Sequence, residues 1–458
     1  MALNVVIMAA GKGTRMKSKL PKVLHKIAGS SLLDHVVRTG SALGAARTVI
    51  VTGHGAEQVE AALEVSDRLR FVRQEPQLGT GHAMQMAVPA LDDAQGTTLV
   101  LYGDVPLIGR SSLEALVAAC AGRRLALLTI DLPDPSGYGR IVREGDQVRA
   151  IVEHKDASEA QRAIREVYTG IMAAPTAMLR RWAMALKNDN AQREFYLTDV
   201  VAMAVAEGVP VVAARAASAA EVAGVNSPAQ LAELERAAQQ AQAQALMEAG
   251  VRLADPARLD VRGTLTTGLD VEIDVGCIFE GSVHLADGAR IGAYCVIRDT
   301  RIGEGTVVQP FTHMNQAVVG ARAEIGPFAR LRPGTDLGPA VHIGNFVEVK
   351  NSTLAAGAKA NHLAYLGDAT VGERVNYGAG TITANYDGAN KHRTVIGDDV
   401  HIGSNCVLVA PLTIGPGATI GGGSTINKAA PAGQLTVARV KQMTLPGWQR
   451  PKKAPKPG

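Results

Sequence analysis

Two stretches of this 458-residue chain carry side chains suited to phosphate chemistry. The first is Met8-Ala9-Ala10-Gly11-Lys12-Gly13-Thr14-Arg15-Met16, followed by Pro21-Lys22. Small residues let backbone N–H groups approach phosphate oxygens closely, and Lys12, Arg15 and Lys22 add positive charge. It is not a dinucleotide fingerprint, because Met16 stands where a third glycine is needed, nor a Walker A loop, which ends in Gly-Lys-Ser/Thr. The plain alternative is a tight turn with solvated lysines. Asp104 follows the apolar run Thr97–Tyr102. A carboxylate at such a strand end suits Mg²⁺, which takes few protein oxygens and bridges substrate phosphates. Its alternative is a simple turn carboxylate.

The second stretch holds Arg332, Lys350, His362, Tyr365, Asn376 and Lys391. Arg332 and Lys350 each follow an aliphatic residue, Leu331 and Val349, and stand eighteen residues apart. Stacked on one side of a regular coil, two such cations clamp a phosphate; unstacked, they are a solvated charge ladder. A histidine side chain can exchange protons near neutral pH, so His362 is the best candidate for a general base, with Glu348 as the group that could orient its ring.

What must position these groups differs between the two halves. From Leu3 to about Asn226, strand-like runs (Leu3–Met8, Arg47–Thr52, Leu69–Arg73, Thr97–Tyr102, Leu125–Ile130, Val209–Ala214) alternate with helical ones such as Leu32–Leu43 and Ala56–Val65. This alternation predicts a mostly parallel sheet covered on both faces, with ligands beyond the carboxyl ends of its strands. Ser227-Pro228-Ala229-Gln230 predicts a helix start, and the helix runs to Ala249 with Gly250 as its stop. Beyond Val251 the period becomes six: Ile396, Ile402, Leu408, Ile414, Ile420 and Ile426, and earlier Ile325, Leu331, Leu337, Ile343 and Val349. Six fits neither a helix nor a free-standing strand, but it fits a solenoid whose short parallel strands each put one aliphatic side chain inward, with glycine making the corner. Ten or so three-sided coils are expected. One polar break interrupts them, Asn385 to Thr394. The predicted domains are therefore 1–226, a helical linker 227–250, a repeat domain 251–437 and a Pro- and Lys-rich tail 438–458.

Composition narrows the possible functions. The net charge of +4 is small for this length, which argues against bulk nucleic-acid binding. The four cysteines form no CxxC pair and read as apolar residues of a reducing, cytoplasmic setting. No apolar stretch reaches the ~18 residues of a membrane span.

The first string, with Pro21-Lys22, Gln77-Leu78-Gly79-Thr80-Gly81, Tyr102-Gly103-Asp104-Val105-Pro106, Gly137-Tyr138-Gly139-Arg140 and Glu153-His154-Lys155, resembles the sugar-1-phosphate nucleotidylyltransferases. The six-residue repeat resembles the hexapeptide-repeat, left-handed parallel β-helix. Together, over nearly the whole chain, they resemble the family that combines N-acetylglucosamine-1-phosphate uridylyltransferase and glucosamine-1-phosphate N-acetyltransferase. The resemblance implies a Rossmann-like α/β nucleotidyltransferase domain joined by a helical arm to a left-handed β-helix, in a homotrimer that makes UDP-N-acetylglucosamine for cell-envelope polymers. It implies UTP, glucosamine-1-phosphate and N-acetylglucosamine-1-phosphate as substrates, acetyl-CoA as co-substrate and Mg²⁺ as cofactor.

Carried over residue by residue, the resemblance gives Arg15 and Lys22 to triphosphate neutralisation. Met8, Ala9, Ala10, Gly11, Gln74, Gly79, Thr80, Tyr102 and Gly103 go to the nucleotide, Gly139 and Glu153 to the sugar, and Asp104 with Asn226 to the metal. Here Tyr168 precedes Thr169-Gly170-Ile171 where the family usually has Asn. In the repeat domain His362 becomes the base toward the sugar amine. Arg332, Lys350, Tyr365, Asn376 and Lys391 contact the sugar phosphate, and Ala379, Asn385, Tyr386, Ser404, Gly422 and Arg439 contact coenzyme A. Asn361 replaces the glycine of the family's Gly-His-Leu-x-Tyr motif, and Gly422 stands where some relatives have Ala.

Three other readings stay open at this point. One is a monofunctional nucleotidylyltransferase with a structural or regulatory β-helix. Another is a zinc enzyme, which the spacing of His313, His342, His362, His392 and His401 does not favour. The third is a non-catalytic scaffold. A passive spacer has no use for Arg332, Lys350, His362, Asn385 and Lys391 together.

Overall fold

The computed structural model describes residues 2–64, 66–91, 96–190 and 192–452. The chain divides into two compact units, Met1–Gln242 and Ala243–Gly458. Among the described residues no helix is long and apolar enough to cross a membrane.

In the first unit the central aliphatic runs, Leu3–Met8, Arg47–Thr52 and Thr97–Tyr102, form strands buried on both faces, and less buried runs flank them. The strands are β1 (Leu3–Met8), β2 (Arg47–Thr52), β3 (Leu69–Arg73), β4 (Thr97–Tyr102), β5 (Leu125–Asp131), β6 (Arg140–Glu144), β7 (Gln147–Val152), β8 (Glu166–Pro175) and β9 (Val211–Arg215). The sheet runs β9-β5-β8-β4-β1-β2-β3, with the β6-β7 hairpin attached to β8. β1 is parallel to β2 and β4, and β9 is parallel to β5. β8 runs antiparallel to both its neighbours. One core packs on each face, around Trp182 and Met84 on one side and Leu33, Ile50 and Leu113 on the other. The helix expected over 56–65 ends at Ala61, and Val65 lies outside the described residues.

The helix Pro228–Glu248 starts where the serine and proline predict. Ser227 Oγ accepts the Gln230 N–H at 3.3 Å, while the Gln230 side chain reaches back to the Asn226 N–H at 2.9 Å. In the first unit its Leu234 and Ala238 pack on Met16, Ile27 and Leu32. Helix start and glycine-rich loop are thereby held against one small core.

The second unit is a left-handed parallel β-helix. One face carries strands from Arg252–Leu253 to Leu435–Thr436 in unbroken parallel order. Leu331 lies over Val349 and Val349 over Leu366, each fully buried. The Leu331–Val349 coil takes eighteen residues and the next takes seventeen, because one side is crossed in five residues instead of six. Glycine makes some of the corners, as at Gly357, Gly417 and Gly423 with φ +68°, +66° and +70°, but the glycines that directly follow the aliphatic rungs do something else. Gly397, Gly403 and Gly415 do not have positive φ; a Cβ on each would stand 2.5–2.7 Å from the backbone of the next coil. Glycine is needed there for close stacking. Other left-handed corners are held by non-glycine residues, among them Phe328, Asn351, Asp368 and Asn405.

Candidate active sites

At the first site, three strand ends form one edge. The Ala9 N–H bonds to Val51 O, and the Gly103 N–H to Met8 O, each at 2.9 Å, so the loops after β1, β2 and β4 are stitched together. Above them is a cavity of about 510 Å³ lined by Met8, Ala9, Ala10, Gly11, Lys12, Lys22, Gln74, Gly79, Thr80, Tyr102 and Asp104. Gly79 caps the helix Thr80–Ala87 at φ +103°, and a side chain there would strike Phe195 O at 2.7 Å. Gln74 donates to Gly79 O at 2.9 Å, closing that wall. Glu194 also lines the cavity and was not anticipated; no periodic pattern marks its loop.

The Lys22 ammonium is paired with Asp104 Oδ2 and donates to Asn226 Oδ1 at 3.1 Å. Asn226 reaches this point because the Val225 N–H bonds to Asp104 O at 2.9 Å. Two oxygen donors 122 residues apart in sequence thus share one cation. Arg15 sits on the exposed 3-10 turn Thr14–Met16 and does not line the cavity. Gly103 packs beneath Ala9, Val23 and Leu33.

Glu153 lines a second cavity of about 470 Å³ with Asp156, Tyr196, Thr198 and Asp199. Gly139 lies against it, since a Cβ there would come 3.6 Å from the Glu153 carboxylate. Burial pushes the Glu153 carboxyl above the ordinary carboxylate range; Thr198, donating at 3.2 Å, opposes this, and Asp156 and Asp199 add to it. Tyr168 is buried, its hydroxyl donates to Gly170 O, and burial with Tyr102 and Glu153 nearby pushes that hydroxyl well up. The side chain that departs from the family pattern is therefore a fixed wall of the same region.

At the second site, strand register does the positioning. Leu331 and Val349 are paired, so Arg332 and Lys350 follow each other outward on one face. Lys391 comes from the 385–394 break to stand beside Lys350. The neighbouring Lys391 ammonium, and more weakly Arg332, push Lys350 below the usual lysine range. Three cations therefore converge on one spot.

His362 ends the strand Lys359–His362, in register with Asn345 one coil before, and its Nδ1 lies 2.9 Å from Asn345 Oδ1. The expected Glu348 partner is otherwise engaged: its carboxylate takes Arg332 at 2.7 Å and lies 3.6 Å from Arg330. An ion pair with guanidinium outcompetes a neutral imidazole for the carboxylate. Asn345 could not be found from local spacing, because it meets His362 only through a seventeen-residue coil.

Tyr365 stacks over Glu348 in register, and Asn376 over Lys359. Ala379, Ser404 and Gly422 form a column: the Asn405 N–H bonds to Ala379 O, and the Gly423 N–H to Ser404 O, both at 2.8 Å. Arg439 donates to Gly422 O at 2.7 Å. Asn385 and Tyr386 open the break, the first buried and the second exposed. Of the tail cations, Arg450 and Lys452 are exposed, and Lys453 and Lys456 lie outside the described residues.

Fold and sites define a two-domain transferase. A MobA-like NTP transferase domain matches residues 5–255, and six repeats of the bacterial transferase hexapeptide match residues 393–428. The chain is 72% identical to the bifunctional protein GlmU of Methylibium petroleiphilum, over 98% of this chain and 99% of that one. It is 67% identical to the bifunctional protein GlmU of Paracidovorax citrulli and 65% identical to that of Acidovorax sp. strain JS42, with 99% of both chains covered in each case. The chain belongs to the bifunctional GlmU family. It is an enzyme with a nucleotidyltransferase domain and a hexapeptide-repeat acetyltransferase domain.

Two outcomes follow from the site geometry. Because the folded-state pKa of Glu153 is raised, its contribution to stability is complete below the ordinary carboxylate range and is lost as pH rises through the folded value. Glu153→Gln removes that loss. Its thermal midpoint should therefore rise near neutral pH, with the gain fading as pH falls into the ordinary carboxylate range. Nucleotidyl transfer should fall in the same variant. Asn345→Leu, which strips the imidazole of its partner, should lower kcat for acetyl transfer about tenfold or more, as loss of an orienting hydrogen bond does, and leave nucleotidyl transfer unchanged.

Proposed function

We propose that this chain acetylates glucosamine-1-phosphate with acetyl-CoA at the β-helix, and then transfers UMP from UTP to N-acetylglucosamine-1-phosphate at the sheet edge. The products are UDP-N-acetylglucosamine and pyrophosphate. The observation that carries this reading is the presence, in one chain, of two anion-binding constellations built for different chemistry: Lys22 with Asp104 and Asn226, and the Arg332, Lys350 and Lys391 cluster with His362 on the neighbouring side of the coil.

In the nucleotidyl step, a phosphate oxygen of the sugar phosphate bonds to the α-phosphorus of UTP as the bond to pyrophosphate breaks. Such a step needs alignment and charge neutralisation more than a proton carrier. The loop 8–11 and the Gly79–Thr80 helix start hold the nucleotide, with Gln74 fixing Gly79. Lys22 and Arg15 bring positive charge to the triphosphate, Tyr102 and Gly103 stand with the nucleotide, and Gly139 and Glu153 bound the sugar. Asp104 and Asn226 fit a divalent cation, since both are hard oxygen donors already turned toward one ammonium. A divalent cation held by them would supply charge neutralisation to the triphosphate.

In the acetyl step, the amine nitrogen bonds to the thioester carbonyl carbon, the carbon–sulfur bond breaks, and coenzyme A leaves as the thiol. Asn345 Oδ1 can only accept, so His362 carries its proton on Nδ1 and keeps a lone pair on Nε2. That nitrogen takes the amine proton. Arg332, Lys350 and Lys391 hold the sugar phosphate, assisted by Tyr365 and Asn376, while Ala379, Asn385, Tyr386, Ser404, Gly422 and Arg439 flank the coenzyme.

A homotrimer is favoured by a column of stacked, half-exposed rings on the β-helix: Tyr294, Phe311, Phe328 and Phe346, with centroids 5.0–5.5 Å apart. Apolar surface of this extent and regularity is a protein-contacting surface. A cytoplasmic setting is favoured by four free, buried cysteines.

The test is a product assay in which each substrate is left out in turn. Thiol release should need glucosamine-1-phosphate and acetyl-CoA but not UTP. Pyrophosphate release from N-acetylglucosamine-1-phosphate should need UTP but not acetyl-CoA. Adding a chelator should abolish pyrophosphate release and spare thiol release. Pyrophosphate without any thiol would leave a monofunctional enzyme with a structural β-helix.

A further inference from the structure

We propose that Asp368 is a positioning residue for acetyl transfer: it clamps both roots of the 385–394 loop and so sets Lys391 beside Lys350. The proposal rests on the acetyltransferase reading of the β-helix.

Asp368 is only 6% exposed and sits at a left-handed corner, φ +51°. A carboxylate so far out of water persists only with hydrogen-bond partners on its oxygens. It has one on each side along the helix axis. Oδ1 accepts the amide of Asn351 from the preceding coil, and Oδ2 accepts the amide of Asn385 from the following one. Its backbone is committed as well: the N–H donates to Lys350 O, and its carbonyl accepts the Thr394 N–H, each at 3.1 Å.

Asn385 and Thr394 are where the chain leaves the coil and where it returns. Asp368 therefore holds the departing end with its side chain and the returning end with its main chain. The Asn385 carbonyl then accepts the His392 N–H at 2.8 Å, and Tyr386 bridges Lys391 in antiparallel register, so the segment is a short hairpin standing on Asp368.

The hairpin places an ammonium where it is electrostatically unwelcome. Lys391 and Arg332 stand close enough to Lys350 to act on it, and the effect of these cations on Lys350 is repulsive. Among the groups acting on Lys350, Asp368 is the one that attracts it. Neither lysine gains from the other's company, so the pair has to be imposed by the backbone that carries it. A substrate phosphate turns the repulsion into binding. The clamp thus prepares a phosphate site before the phosphate arrives.

Two substitutions separate the clamp from the charge. In Asp368→Asn, three amides in a row can each donate to the next by flipping, which keeps the clamp and removes the charge. Asp368→Ala removes the charge and the side-chain hold on the departing end, leaving only the main-chain bond to Thr394. If Asp368 positions the hairpin, Asp368→Ala raises KM for glucosamine-1-phosphate in the acetyl step about tenfold or more, as loss of a supporting residue does. Its kcat changes far less and nucleotidyl transfer is untouched, while Asp368→Asn stays within about threefold of the native KM. An unchanged KM in Asp368→Ala, or an equal rise in both variants, overturns the clamp.

Hydrogen exchange on the substrate-free native protein tests the same idea without relying on a variant that has to fold. The His392 and Thr394 amides should exchange about 100-fold or more slowly than that of Gly388 at the hairpin tip, as hydrogen-bonded amides do. Equal rates overturn it. A native protein that transfers nucleotide but releases no thiol instead overturns the acetyltransferase reading, and the proposal with it.

Discussion

The stacking register of the β-helix is the constraint on which the second site depends. Each coil buries its inward aliphatic residues, Leu331, Val349 and Leu366 among them, and each is tied to the next by backbone hydrogen bonds. A slip of one residue would turn an inward side chain outward and forfeit a buried aliphatic, at ~2–5 kcal/mol per side chain lost from the core. Register is therefore defended by every coil at once. That rigidity allows three cations to be held within reach of one another before any anion is present. Strain of this kind is tolerated at a site because the scaffold around it over-determines the geometry.

The first site meets the same electrostatic problem by another route. Its groups are brought to one strand edge by loops, and its cation is already matched: Lys22 is bonded to Asp104 and Asn226. There the unfavourable term is desolvation. Glu153, Tyr102 and Tyr168 are all shifted upward chiefly by burial. A sugar hydroxyl meeting these groups exchanges water for polar groups held in place, which lends selectivity as well as affinity. On the proposed reading, one phosphate site is assembled from a sheet edge and the other from a solenoid wall, each with its backbone fixed by something else.

Much of this was legible because it is periodic. The six-residue ladder, the burial of its rungs and the outward direction of Arg332 and Lys350 all follow from counting. So do strands β1 to β4, which are continuous aliphatic runs of a sheet buried on both faces. Strand β8 escaped because Glu166–Pro175 alternates poorly, contains Gly170 at φ +94° and ends in proline, so it reads as a loop. Asp368 and Asn345 escaped for a different reason. Their partners lie seventeen residues away, and a coil that varies between seventeen and eighteen residues blurs that offset in the sequence. Glu348 seemed suited to His362 by proximity in sequence, yet Arg332 holds it more strongly. Partner choice among charges is a competition, and single-residue reasoning does not see the competitor.

The central claim is that two chemically independent sites occupy one chain, and a pair of single substitutions tests it most directly. Both activities would be measured on each folded variant in the presence of all substrates. The account predicts that His362→Ala loses thiol release and keeps pyrophosphate release, while Asp104→Ala loses pyrophosphate release and keeps thiol release. Equal loss of both activities in either variant would contradict it.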